Sequence, residues 1–317
     1  MKSKRLRIIA LVAAFAALLV SGWWFFFSEP RAHGHSLSTW LAVNEQTETD
    51  LSVGEANDAI NEIGERAVPT LLKKIQASDP TWKKTLDDFC NKIPQLSFRF
   101  SWAADEHQEA LRGFACLGPK GRSAIPALAK LLYDTNVTDR VAYALVHIGE
   151  EALPVLRAAL TNATNSVVQL AAMSATSLSS NVAVATLSSI RELRASTNDL
   201  LAGSAVIRLI LYATSEEAEA VAGETLQSGR PRVRGFALAS LATANSIDSN
   251  KSAAILVRFL NDNDPLFRSR VTNTLRHINP TVAASVGIST NPPPRPLSGE
   301  RQGRRGSAPP PDKPAQP

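Results

Sequence analysis

The chain has 317 residues, 44% hydrophobic and 20% charged, with a formal net charge of +5. That charge is uneven. Lys2, Lys4, Arg5 and Arg7 put +4 on residues 1–7, and residues 288–317 hold five basic and two acidic side chains, which leaves −2 for 8–287. The basic pI of about 9.4 therefore belongs to the two ends, and a phosphate-binding surface on the interior is excluded as its source.

From Ile8 to Phe27 there is no charged residue. As a helix at 1.5 Å per residue this run covers about 30 Å, the thickness of a hydrocarbon core. It ends in Trp23-Trp24-Phe25-Phe26-Phe27, an aromatic cluster suited to the membrane interface. The basic flank orients such an anchor with everything after residue 28 outside the cytoplasm. The alternative is a cleaved signal peptide, for which Val20-Ser21-Gly22 offers small residues behind an apolar 8–19. No Cys follows the run, so a lipoprotein anchor is excluded.

Residues 28–50 read as a linker ending in an N-terminal cap. Ser36-Leu37-Ser38-Thr39-Trp40-Leu41-Ala42 suits a short amphipathic helix, with Trp40 and Leu41 capping the first helices beyond residue 50. His33-Gly34-His35 brings two metal-binding side chains within two positions, too few for a site.

Then a phrase recurs. Ile63-Gly64-Glu65-Arg66-Ala67-Val68-Pro69 returns as Ile148-Gly149-Glu150-Glu151-Ala152-Leu153-Pro154, and in longer form as Leu117-Gly118-Pro119-Lys120-Gly121-Arg122-Ser123-Ala124-Ile125-Pro126. Glycine suits a helix C-terminus in the left-handed conformation, and proline suits the first turn of the next helix. Apolar residues at helical spacing flank each copy, so each copy predicts a turn between two helices. An insertion at about 80–104 separates the first two copies. It holds a predicted helix from Trp82 to Ile93 and the alternating Phe98, Phe100 and Trp102, which either display an aromatic contact or pack the insertion down. Cys90 and Cys116 are the only cysteines. Outside the cytoplasm they could bond to each other; otherwise they are buried thiols, Cys116 lying beside Phe114 and Leu117.

Further units lack this punctuation. Stretches 165–196 and 197–228 fit the two-helix size with degraded motifs, a unit opens at Arg232, and another opens at Asp264-Pro265, an N-cap and first-turn pair, and ends before Pro280. Beyond 288 the chain changes character. Nine of its 19 prolines lie in 292–317, and this tail is expected to be extended and disordered.

Residues 51–288 resemble HEAT repeats of the short bacterial type also known as PBS-lyase HEAT-like repeats. The resemblance is carried by the three Gly–Pro phrases and by 231–279. It implies an all-α chain, an α-solenoid of about six or seven helix pairs. Taken with the basic flank and uncharged run at 8–27, the expectation is a bacterial inner-membrane protein with a periplasmic solenoid, or a secreted one after cleavage. The second helices are expected at 67–78, 124–133, 152–161, 182–194, 215–227 and 251–261. Their shared face is the expected contact for an unidentified protein partner, with Arg157, Arg191 and Arg194 as candidates beside Phe98, Phe100 and Trp102.

No catalytic constellation accompanies this pattern. His147 and His277 each precede Ile at a first-helix end, where the dipole favours them. Gly113 to Lys120 lacks the ending of a phosphate loop. No cofactor, metal, nucleic acid or small-molecule substrate is expected. The alternatives are an enzyme component of the bilin-lyase type, a HEAT-like DNA glycosylase, or a periplasmic spacer; the first two suit a cytoplasmic chain, and the glycosylase a basic surface.

Overall fold

The computed structural model describes residues 29–43, 50–90, 101–162 and 164–289. Both the apolar run at 8–27 and the proline-rich tail lie outside these residues, as do Phe98 and Phe100. Apart from one two-residue ribbon, the described chain is helical and its helices pack in sequential pairs. Two compact units are formed, one ending at Asp248 and the other beginning at Ser249.

The first unit opens with antiparallel β1 (Arg31–Ala32) and β2 (His35–Ser36). His33 and Gly34 both take positive φ, +50° and +82°, which closes a two-residue hairpin. Ser36 caps α1 (Leu37–Ala42) by accepting from the Thr39 N–H at 3.3 Å. Leu37, Trp40 and Leu41 are buried, and the indole N–H of Trp40 donates to the Ala32 carbonyl at 2.9 Å.

Next come α2 (Val53–Ile63), α3 (Val68–Ile75), α4 (Thr81–Cys90), α5 (Ala103–Leu117), α6 (Ile125–Leu131), α7 (Thr138–Ile148) and α8 (Leu153–Thr161). The unit finishes with α9 (Ser166–Ala175), α10 (Ser180–Leu193), α11 (Asp199–Tyr212), α12 (Ser215–Gln227) and α13 (Pro231–Leu241). First helices stack on first helices: α5 on α7, α7 on α9, α9 on α11 and α11 on α13. In the second layer α8 packs on α10. Helix α1 covers α2 and α5. The largest fully buried side chains, among them Leu71, Phe114, Leu128, Leu145, Ile148, Leu156 and Met173, lie where these elements meet.

The Gly–Pro corners are short 3-10 turns that carry one helix onto the next, and Pro69, Pro126 and Pro154 all fall in the first turn of the second helix. The glycines depart from the expected left-handed cap. Gly64, Gly118 and Gly149 have φ of +60°, +50° and +92° with ψ of −138°, −129° and −138°. Their φ is positive but their ψ is extended, a region that belongs to glycine alone, whereas Asn or Asp is also at home in the left-handed well. The middle pairs turn by a different device. Ser179 Oγ accepts from the Val182 N–H, and Thr214 Oγ1 from the Glu217 N–H, so a side-chain cap replaces the glycine.

Beyond Ser249 lie α14 (Ser249–Val257), α15 (Pro265–Ile278) and α16 (Pro280–Ser285). Asp264 caps α15, accepting from the Leu266 and Phe267 N–H groups at 2.8 and 3.2 Å. Phe259 meets Phe267 edge-on at 6.4 Å, and Asn279 both caps α16 and donates to Asn250 Oδ1.

Two glycines in this fold should respond oppositely to alanine. Gly149→Ala forces a side chain into a closed backbone region and should cost about 1–3 kcal/mol, with Asn no better than Ala. Gly223 lies inside α12 with nothing within 4 Å of a built Cβ, so Gly223→Ala should stabilise by about 0.5–1 kcal/mol. Urea titration of both variants measures the two signs; a destabilised Gly223→Ala or an unaffected Gly149→Ala would contradict the backbone assignment.

Candidate functional site

The three arginines expected on the second-helix face lie in α8 and at the C-terminal end of α10, and each reaches the following second helix. Arg157 donates through Nη2 and Nε to the Ala185 carbonyl of α10, at 2.8 and 3.3 Å. Arg191 clamps the Glu217 carboxylate of α12 with Nε at 2.6 Å and Nη2 at 2.9 Å. Arg194, one residue past α10, donates to Glu224 Oε2 at 2.6 Å. These are rungs 26 to 30 residues long that tie α8 to α10 and α10 to α12. The guanidinium groups are thus occupied within the chain, not held free for an acidic partner.

The fork of Arg191 holds the Glu217 carboxyl below its ordinary value, chiefly by the hydrogen bond between them. Around that pair runs a groove in two connected parts. One part, about 550 Å³, is lined by Arg191, Arg194, Leu209, Glu217, Ala220 and Val221. The other, about 330 Å³, shares Arg191 and Glu217 and adds Val184, Ala185, Ser188, Tyr212 and Thr214. Val184 is 54% exposed there, an apolar side chain with no cover. Among the six candidates, the structure gathers Arg191 and Arg194 in this groove and puts Arg157 one helix away. Trp102 stands apart as the N-cap residue of α5, half-buried, with the Lys83 ammonium 5.3 Å from its ring centre.

Sequence reasoning did not single out Glu217 or Glu224. They lie 26 and 30 residues beyond Arg191 and Arg194, about the length of one helix pair, and that spacing is the signal which pairs them. The histidines also have structural places. His33 pairs with Glu62 at 2.9 Å and meets Trp40 edge-on, as does His35. Among the described residues no group of three or more His, Cys, Asp or Glu is arranged to hold a metal ion, and no helix is long and apolar enough to cross a membrane. Cys90 is buried and Cys116 half-buried, both free thiols; Cys116 does not lie wholly among apolar neighbours but donates to Asn57 Oδ1 at 3.2 Å, and burial pushes its thiol up.

His147 stands in the last turn of α7, its expected place. It borders a crevice of about 710 Å³ shared with Pro119, Glu150, Ser179 and Asn181, and burial lowers its pKa. Desolvation disfavours the imidazolium that the helix dipole would have favoured. Comparison with protein-family models returns no match, and neither does comparison with curated protein sequences.

Two measurements probe these placements. In a double-mutant cycle, Arg191→Ala with Glu217→Ala should give a coupling of about 0.5–1 kcal/mol, as for a well-aligned but half-exposed pair, shrinking in high salt. The lowered Glu217 value makes that contribution complete above the usual carboxylate range and lost as pH falls through the lowered value. A coupling of zero would mean the fork adds nothing to holding α10 on α12. For His147 the unfolded chain takes up a proton near its ordinary value of ~6.5 and the folded chain resists, so stability should fall as pH drops below that point. His147→Gln should lose less stability than wild type between neutral and mildly acid pH, and equal losses would refute the desolvation.

Proposed function

We propose that this chain is a membrane-anchored scaffold built from HEAT-type repeats, displayed outside the cytoplasm and binding a protein partner along its second helices. The observation that carries this reading is the groove around Arg191 and Glu217. Three consecutive second helices, α8, α10 and α12, are tied at intervals of 26 to 30 residues, and the exposed strip between the ties is made of small uncharged side chains, Val184, Ala185 and Ala220 with the hydroxyl of Ser188. A continuous surface of this kind suits an extended protein segment better than a small molecule, which calls for a deep enclosing pocket. The helix pairing and the Gly–Pro corners support the repeat assignment. The uncharged run at 8–27 with its basic flank supports the anchor and the orientation. An interior of charge −2, whose groove arginines already hold carboxylates, speaks against nucleic acid.

The test is site-specific photocrosslinking in intact cells. A photoreactive residue in place of Val184 should yield a discrete adduct with another protein, while the same residue in place of Arg232, exposed on first helix α13, should not. No adduct from position 184, or the same adducts from both positions, would remove the groove as the binding surface.

A further inference from the structure

Helix α4 turns an apolar stripe away from the rest of the chain and a lysine toward it. At about 100° per residue, Trp82, Leu86 and Phe89 fall within a single arc of roughly 60°. That arc faces out: the three residues are 61%, 40% and 59% exposed. The side that faces the chain carries Lys83, whose side chain is only 13% exposed. Its ammonium donates to Asp79 Oδ1 at 2.7 Å and to the Ser101 carbonyl, and lies over the Trp102 ring. Asp79 in turn accepts from the Ala103 N–H, the first amide of α5. Cys90 closes the inward side and is buried. A surface helix ordinarily buries its apolar stripe and shows its charges; here a lysine cluster fixes the helix so that the stripe is displayed.

Three observations say what meets it. The exposed area of the stripe is roughly 300 Å² at the size of these side chains, well under the ~800 Å² per partner of a stable protein interface, so neither a second copy nor a separate protein is held by it alone. The stripe lies at the end of the unit where the chain enters. Six-residue α1, about 9 Å long, runs from the hairpin that follows Glu29, and its last residues Leu41 and Ala42 share a crevice with Ser101, the residue whose carbonyl holds Lys83. The stripe itself has the make-up of an interfacial face, a tryptophan and a phenylalanine with a leucine, while the exposed Lys84 lies on the opposite side of the helix.

We infer that Trp82, Leu86 and Phe89 rest in the headgroup region of the bilayer that holds the chain's own N-terminal segment. This rests on the anchor reading of residues 8–27. A stripe too small to bind a membrane alone suffices once the anchor has raised its local concentration.

The experiment uses the full chain in vesicles of phosphatidylethanolamine and phosphatidylglycerol whose acyl chains are brominated. The fluorescence of Trp82 is the difference between wild type and Trp82→Phe, which keeps the face apolar. The expected result is a chain that resists alkaline carbonate extraction and a Trp82 signal that bromolipid reduces by about half or more, as for an indole at the headgroup–acyl boundary. A chain released by carbonate overturns the anchor reading, and the placement of α4 with it. A retained chain whose Trp82 is quenched by aqueous iodide and not by bromolipid overturns the placement alone. A Trp82 shielded from both quenchers means that protein covers the stripe, which also overturns it.

Discussion

At Gly64, Gly118 and Gly149 the backbone enters a φ,ψ region that only glycine occupies without strain, and the direction of the helix after each corner depends on that step. A helix ended by an ordinary left-handed cap leaves along a different path. Here the positive φ with extended ψ is followed at once by a tight 3-10 turn, and the small residues Ala67, Ala124 and Ala152 are fully buried in the corner. A larger side chain at those three alanines would push the two helices apart. The proline then starts the second helix with its φ already set and no N–H to satisfy. Conformational freedom at one residue and its absence five residues later (eight, in the longer copy) together make a reversal short enough for the paired helices to pack.

Turning a helix back is half of the construction; the pairs must also be held in register with one another. Apolar burial supplies most of the energy, at about 25 cal/mol per Å², but it is not directional. Direction comes from contacts with fixed geometry. Gly203 lets the Phe236 ring come so close that a built Cβ would collide with its Cδ2, which seats α13 on α11 at one height only. Gly113 does the same for Leu71, seating α5 on α3. The Lys74–Glu109 pair, with both side chains less than one-fifth exposed, fixes the same two helices from the side. The arginine rungs of α8 and α10 extend this control to the second layer.

The parts of the fold that could be read from the chain are those with local causes. Apolar periodicity and the Asp264-Pro265 cap placed α15, and the Gly–Pro phrase placed the corners before α3, α6 and α8. The middle pairs kept their periodicity but carried blurred boundaries, because Ser179 and Thr214 cap helices there and such residues are common in any polar stretch. What could not be read were facts about neighbours. Arg191 and Arg194 look like solvated surface charges until the residues one repeat ahead are placed beside them. Trp82, Leu86 and Phe89 have the spacing of a buried stripe, and the spacing does not say which side of α4 faces the chain. That was decided by the local Lys83–Asp79 pair together with the backbone of Ser101, which reaches it only in three dimensions. His147 sits at the helix end where a charge would help, and its desolvation depends on α7 having neighbours.

The rungs also constrain what the proposed binding face can recognise. A free row of guanidinium groups would attract acidic chains of many shapes, and its affinity would follow ionic strength. Arg191 and Arg194 are instead neutralised by Glu217 and Glu224, so a partner that competed for them would first have to displace carboxylates already aligned with two hydrogen bonds or a short one. What remains open to a partner is the strip between the pairs, Val184 with Ala185, Ser188 and Ala220, whose small side chains leave room for a neighbour's larger ones. Discrimination on such a strip comes from shape and from the spacing of shallow apolar sites, and that spacing is set by the distance between successive second helices. Under the proposed function, the ion pairs that hold α10 to α12 act on recognition indirectly: they fix the ruler, and the small side chains between them are its marks.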